Sequence, residues 1–233
     1  MRDVARNPHA VRLVVALVFV ELGLGSVMVA IPYLSELLTG ETGNSSLLML
    51  GFVIPCGLSI PLWIPLTRRF GKARCWTAAT GLCAASCYAL GAFGLDSAVV
   101  AMCIAAPIGI GQAAMMTIPM SIKADVIHWD EAHTGERKEG SYFAAWNLIH
   151  KFGSGLSVAI VGFAIQGPSG SVDPDGVRFV LTNLPAACLT ISTILLLRFR
   201  FGEREHTEIR RKIGQRLGRD GTAVSGDSAA LAA

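Results

Sequence analysis

Residues Ser97–Ile122 read SAVVAMCIAAPIGIGQAAMMTIPMSI, twenty-six consecutive positions without an Asp, Glu, Lys or Arg. A helix rises about 1.5 Å per residue and the hydrocarbon core of a bilayer is about 30 Å thick, so about 20 apolar residues cross it. The stretch is long enough to span. It is also continuously apolar rather than alternating, which argues against a strand of a membrane barrel. Five further stretches qualify by length and apolar content: Val11–Leu38, Ser46–Leu66, Cys75–Leu95, Ser141–Ile165 and Val177–Phe201. The expected fold is an all-α membrane protein, with six transmembrane helices over residues 1–201. Residues 202–233 are charged and then of low complexity, as expected of a cytoplasmic tail that ends in disorder.

Composition agrees. Hydrophobic residues make up 52% of the 233 residues, charged residues 16%, and the mean hydropathy is +0.51. A soluble domain carries about 25% charged residues. Intrinsic disorder and most nucleic-acid binders are therefore excluded. The first apolar run is too long for the core of a cleaved signal peptide, and no small-residue cleavage site follows it. Cys56, Cys75, Cys83, Cys87, Cys103 and Cys188 lie in or beside apolar runs, without CxxC or Cys/His spacing. They form neither a disulfide framework nor a metal site. No Walker sequence and no GxGxxG after a strand occurs, so no soluble catalytic domain is expected and the chain does not read as an enzyme.

The loops set the orientation. Eighteen of the 20 Lys and Arg residues fall in the N-terminus, the second-to-third connection, the fourth-to-fifth connection and the tail from Arg198. The opposite loops, Thr39–Ser45, the turn at Asp96 and Gly167–Gly176, hold none, with Arg178 at their edge. The positive-inside rule then puts both termini in the cytoplasm of a cell whose plasma (inner) membrane holds the protein.

Lys151 stands apart from both sets. Ten residues into its span, it falls about 15 Å deep, where insertion of a lysine costs about 2.5–3.5 kcal/mol and a polar or protein environment is required. That is too deep for its stem to snorkel to the interface. Asn147, His150, Ser154 and Ser157 fall at helical spacings that build a polar stripe with it, and Gly153 and Gly155 allow another helix close. Glu21 lies at similar depth in the first span and is its natural counter-charge. Trp146, one turn before Lys151, is a candidate platform for a sugar ring, whereas Trp63, Trp76 and Trp129 read as interfacial anchors. Gln112 reads as a helix–helix hydrogen-bonding group. Pro55, Pro61 and Pro65 in the second span, and Pro107 and Pro119 in the fourth, predict broken or kinked segments of the kind that line transport paths.

The connection from Lys123 to Gly140 concentrates charge: Lys123, Asp125, Asp130, Glu131, Glu136, Arg137, Lys138 and Glu139, with His128 and His133. Charges at a membrane boundary find partners, so Lys123, Asp125, Glu131 and Arg137 are candidate cytoplasmic ion-pair residues. Gly135 fits a turn between two short helical pieces. The spacing of the histidines and acids matches no standard ligand pattern, so no metal site is expected.

The pattern Ala124-Asp125-x-x-x-Trp129-x-Glu131-x-x-Thr134-Gly135-x-Arg137-x-Glu139-Gly140, followed eleven residues later by Lys151, resembles the glycoside–pentoside–hexuronide:cation symporters. These are the melibiose-permease-like branch of the major facilitator superfamily. Pro61-Leu-Trp63 leading into Arg68-Arg69-Phe-Gly71-Lys72 resembles the family's loop between helices eight and nine, and Asn7-Pro8 the entry to helix seven. The resemblance implies a twelve-helix transporter of which this chain matches the second half. Lys151 then matches the eleventh-helix lysine of the sugar and cation pathway. Asp125 and Arg137 match the cytoplasmic acid and arginine of gating ion pairs. His128 stands where the family usually has a second acid, and the family's cation-site acids and main sugar-contacting carboxylates belong to the first half.

The expectation is thus half of a sugar:cation symporter acting by alternating access. Lys151, Asn147, Trp146 and Glu21 lie on the substrate and cation pathway. The partners expected are the lipid bilayer, a glycoside or related small molecule and an N-terminal six-helix half; no nucleic acid is expected. No cofactor is expected beyond a coupling cation, H⁺, Na⁺ or Li⁺. Two other readings are a lysolipid or other solute carrier of the same family, and an orphaned membrane fragment that transports nothing.

Overall fold

A computed structural model of the chain describes residues 8–39, 45–94, 98–134, 139–167 and 172–197. They are almost wholly helical. In chain order the helices are α1 (Pro8–Thr39), α2 (Ser45–Phe70), α3 (Lys72–Ala89), α4 (Ala98–Thr134) and α5 (Glu139–Ala164). The last, α6 (Pro174–Leu197), runs from Pro174–Arg178 through a π-helical turn at Phe179–Asn183 into Leu184–Leu197. A second π turn, Leu90–Gly94, extends α3. Among the described residues the β-pairing is an isolated bridge between Gln166 and Val172. Asp173 caps α6, its carboxylate accepting from the backbone N–H groups of Asp175 and Gly176, with Pro174 in the first turn where its missing donor costs nothing.

Four of these helices are long and apolar enough to cross a membrane: α1, α2, α4 and α6, with apolar windows Val11–Tyr33, Met49–Phe70, Val99–Ile127 and Pro174–Leu197. The other two expected spans fall on α3 and α5, which are diluted by small and polar residues. The α3 sequence KARCWTAATGLCAASCYA opens on two bases, and α5 carries Glu139, Asn147, His150 and Lys151.

The helices pack in the order α5–α1–α6–α3–α4–α2, with α1 and α4 touching only lightly across the middle. Close approach is written into the glycines. A Cβ on Gly109 of α4 would collide with the Phe52 carbonyl oxygen of α2, and one on Gly111 with Cys83 Sγ of α3. The indole N–H of Trp63 donates to the Ile110 carbonyl at 2.9 Å, tying α2 to α4 at the same level. Trp63 is buried and Trp76 wholly so. Both are core residues, not the interfacial anchors expected.

Two further expectations are corrected. The prolines do not interrupt α2 or α4, which are helical through Pro55, Pro61 and Pro65 and through Pro107 and Pro119. And α4 continues past the expected end at Ile122 to Thr134, so Lys123, Asp125, Asp130 and Glu131 stand on helix rather than loop. The turn at Gly135, Arg137 and the tail 202–233 lie outside the described residues, as do the side chains of His128, Trp129 and His133.

Candidate functional site

A groove opens between α4 and α5 and is floored by α1. Two adjoining cavities of about 370 and 450 Å³ make it up, and both are lined by Glu21, Leu24, Gln112 and His150. The smaller adds Lys123, Trp146 and Asn147, and the larger adds Lys151 and Ser154. Apart from these groups the lining is aliphatic side chains, Pro119 and two glycines, so the few charges dominate its field.

The α1–α5 contact fixes the geometry. Ser157 Oγ bonds the carbonyls of Glu21 (3.2 Å) and Gly153 (2.9 Å), crossing from one helix to the other. A Cβ on Gly153 would lie 2.8 Å from Glu21 Cβ, and one on Gly25 2.6 Å from Ser157 Oγ, so only glycine lets the helices approach this closely. The Glu21 backbone is thereby pinned beside α5, and Glu21 Oε1 lies 2.8 Å from His150 Nδ1. Glu21 is half-buried, whereas the imidazole is 64% exposed.

Glu21 therefore pairs with His150, not with Lys151 as depth alone suggested. Helical rotation explains it. Trp146, His150, Gly153 and Ser157 follow one another at i, i+4, i+7 and i+11 and form the stripe that meets α1. Lys151 is turned from that stripe by about 100°. With Asn147 and Ser154 it forms a second stripe, exposed along the groove. The single polar stripe expected is thus two, with different work. Ser154 Oγ donates back to the Lys151 carbonyl at 3.3 Å.

Trp146 is buried, and its indole face carries the Lys123 ammonium 5.3 Å from the ring centroid, a cation–π contact across the groove from α4 to α5. Tyr142 lies tilted against the indole and Phe143 edge-on, with ring centroids 5.6 and 6.2 Å away. Trp146 Nε1 and Gln112 Oε1 are buried without a hydrogen-bond partner among the described residues. Gln112 does not make the interhelical bond expected of it and belongs instead to the groove wall.

At the basic end of the bundle, Asp125 Oδ2 of α4 accepts from Lys72 Nζ at the start of α3, at 2.7 Å. Asp125 is an ion-pair residue as expected, but with a partner the sequence reading did not assign. Lys123, expected in the same cluster, lines the groove instead. Glu131 is half-buried near the end of α4. His150 and Lys72 were thus missed as site residues. His150 sits beside the more conspicuous lysine, and Lys72 reads in sequence as one of several loop bases, although it borders the same membrane edge as Asp125. Among the described residues no group of three or more His, Cys, Asp or Glu side chains is placed to hold a metal ion.

Long apolar helices enclosing a charge-lined groove define a multi-pass membrane protein. The comparisons place it more closely. The family model for MFS/sugar transport proteins matches residues 1–203, and the chain belongs to that family. It is 31% identical over 121 residues to an uncharacterized symporter of Synechocystis, covering 46% of this chain and 22% of that protein. It is 26% identical over 176 residues to the glucuronide carrier protein homolog of Escherichia coli, covering 68% of this chain and 38% of that protein. The chain thus spans well under half the length of these curated relatives. Membership of that family is consistent with the melibiose-permease-like resemblance.

Proposed function

We propose that the chain is one six-helix half of a sugar:cation symporter, working by alternating access against a second six-helix half in the plasma membrane, with both termini cytoplasmic. The observation that carries this reading is the groove itself: Glu21, His150, Lys123 and Trp146 converge from three helices on one open face. Transporters of this class hold their site near the bilayer midplane, between bundles that rock around it. The partial cover of the relatives supports the need for a second half.

Six spans are compatible with the lengths. With its π turn, α3 extends from Lys72 to Gly94, and α5 has 26 residues, so each reaches more than about 30 Å. Polar residues of α3 pack against neighbours and those of α5 face the groove, and these polar residues are why plain hydropathy undercounts both helices. The bias of Lys and Arg towards one set of loops supports the orientation.

The substrate in this reading is a glycoside or a glucuronide, the latter being the cargo in one relative's name. Lys151, Asn147 and Trp146 line its path, and the Lys72–Asp125 pair closes the cytoplasmic side. Counterflow of labelled methyl β-D-glucuronide in membrane vesicles holding the full-length polypeptide is the test. Uptake above control vesicles, lost in Lys151→Ala with insertion intact, is expected. Absence of counterflow with normal insertion would leave a membrane fragment that carries nothing.

A further inference from the structure

Four of the chain's bases crowd into seven residues at the corner from α2 to α3: Arg68, Arg69, Lys72 and Arg74. The sequence holds no Asp or Glu between Glu41 and Asp96, so counter-charge must come from elsewhere in the fold. Asp125 supplies it to Lys72. Among the described residues Arg68, Arg69 and Arg74 have no acidic partner, and all three are exposed. The backbone adds to this charge rather than offsetting it. Helix α3 opens on Lys72 and Arg74 with no acid in its first turn and no side-chain cap at Gly71, where the helix dipole is already positive. A single residue, Gly71 at φ 87°, separates the two helices, so the arginines share one tight corner.

An apolar stripe runs up to that corner. Ile54, Leu58, Leu62 and Pro65 fall at i, i+4, i+8 and i+11 of α2, with Arg69 at i+15, and all are exposed. Beside them, a Cβ on Gly57 would meet nothing within 4 Å. From Leu58 to Arg69 the helix rises about 16 Å, close to the roughly 15 Å of one hydrocarbon leaflet. The exposed Phe70 ring carries the Arg69 guanidinium 5.4 Å from its centroid, an apolar body under a charged head. Basic residues at span ends attract anionic headgroups in general. Here they are arginines, whose planar fork pairs with phosphate through two parallel N–H bonds as an ammonium cannot.

We infer that the α2–α3 corner is a binding site for an anionic phospholipid, its phosphate held by Arg68, Arg69 and Arg74 and an acyl chain laid along Leu58 and Leu62. The site requires that the chain span a membrane, not that it carry sugar.

The full-length chain is placed in nanodiscs of phosphatidylcholine, with or without long-chain phosphatidylglycerol, and its thermal unfolding midpoint is measured. A ligand bound only by the folded chain raises that midpoint. Phosphatidylglycerol should raise it by several degrees, and native mass spectrometry should find this lipid retained several-fold over phosphatidylcholine. The variant R68Q/R69Q/R74Q should lose both effects while melting like the parent in phosphatidylcholine alone. The variant R68K/R69K/R74K keeps the charge that orients the loops, so its insertion is preserved, yet it should lose most of both. Parent-like effects in the glutamine variant would overturn the site. Parent-like effects in the lysine variant would overturn it too, leaving diffuse charge attraction in its place. Glycerol phosphate or polyglutamate added to phosphatidylcholine discs should leave the midpoint unmoved. A rise equal to that from phosphatidylglycerol would assign the arginines to a soluble anion or an acidic protein segment instead. A nitroxide on a cysteine replacing Leu62 should be relaxed by oxygen dissolved in lipid; shielding from it would mean that protein covers the stripe and would overturn the acyl-chain contact.

Discussion

His150 Nδ1 on α5 and Glu21 Oε1 on α1 lie 2.8 Å apart, at the one level where Gly153 and Ser157 bring the two helices into backbone contact. The pair depends on that backbone contact, since an exposed side-chain pair alone contributes only about 0–1 kcal/mol.

Gly153→Ala should therefore separate the helices. The added methyl meets Glu21 Cβ at 2.8 Å, and overpacking of this kind costs about 1–3 kcal/mol. Thermal unfolding in detergent should show the loss, whereas Gly162→Ala, with no atom within 4 Å of its Cβ, should be neutral or raise stability by up to about 1 kcal/mol. Equal behaviour of the two variants would contradict the α1–α5 geometry.

Gly109→Ala and Gly111→Ala should be worse. Their methyls meet the Phe52 carbonyl and Cys83 Sγ, on both sides of α4. The Gly111 methyl also meets the Ala79 carbonyl at 2.9 Å, and backbone cannot step aside as a side chain can, so the expected outcome is loss of folded protein on gel filtration, while the exposed Gly140→Ala leaves the yield unchanged.

Trp146 separates packing from recognition. Trp146→Ala should destabilise by about 3–5 kcal/mol, as large-to-small core changes do. Trp146→Phe keeps most of the ring and removes a nitrogen without a protein partner, so stability should change by less than about 1.5 kcal/mol. If that N–H serves a sugar hydroxyl, Trp146→Phe weakens sugar binding at nearly unchanged stability. Unfolding and binding measured on one preparation give both readings.

The Lys72–Asp125 pair should be asymmetric. Asp125 is 11% exposed and Lys72 38%, so Lys72→Met takes a counter-charge from the more buried group. That change should cost about 1–2 kcal/mol, between the usual surface and buried cases. The exchange K72D/D125K should recover part of it, and a double-mutant cycle in chemical unfolding measures how much.

Much of this was legible in the residues. Apolar runs mark α1, α2, α4 and α6 because lipid-facing helices must be apolar all round. Asp125 and the stripe around Lys151 stood out because charge is costly there. What the sequence could not show was rotation. Residues 150 and 151 share a depth and differ by about 100° in direction, so depth matched Glu21 with the wrong neighbour. Lys72 and Asp125 are 53 positions apart, and nothing local marks them as partners. The indoles of Trp63 and Trp76 near span ends imitate interfacial anchors until packing shows them inside.

The account rests on the α4–α5 groove being a water-filled path that sugar can enter. Cysteines placed one at a time at Asn147 in the groove and Leu58 on the outer face of α2, in a chain without its six native cysteines, test this with a membrane-impermeant maleimide. The account predicts that the cysteine at 147 reacts and is protected by methyl β-D-glucuronide, while the one at 58 stays unlabelled. A cysteine at 147 that reacts only with a lipid-soluble reagent, unaffected by sugar, would contradict it.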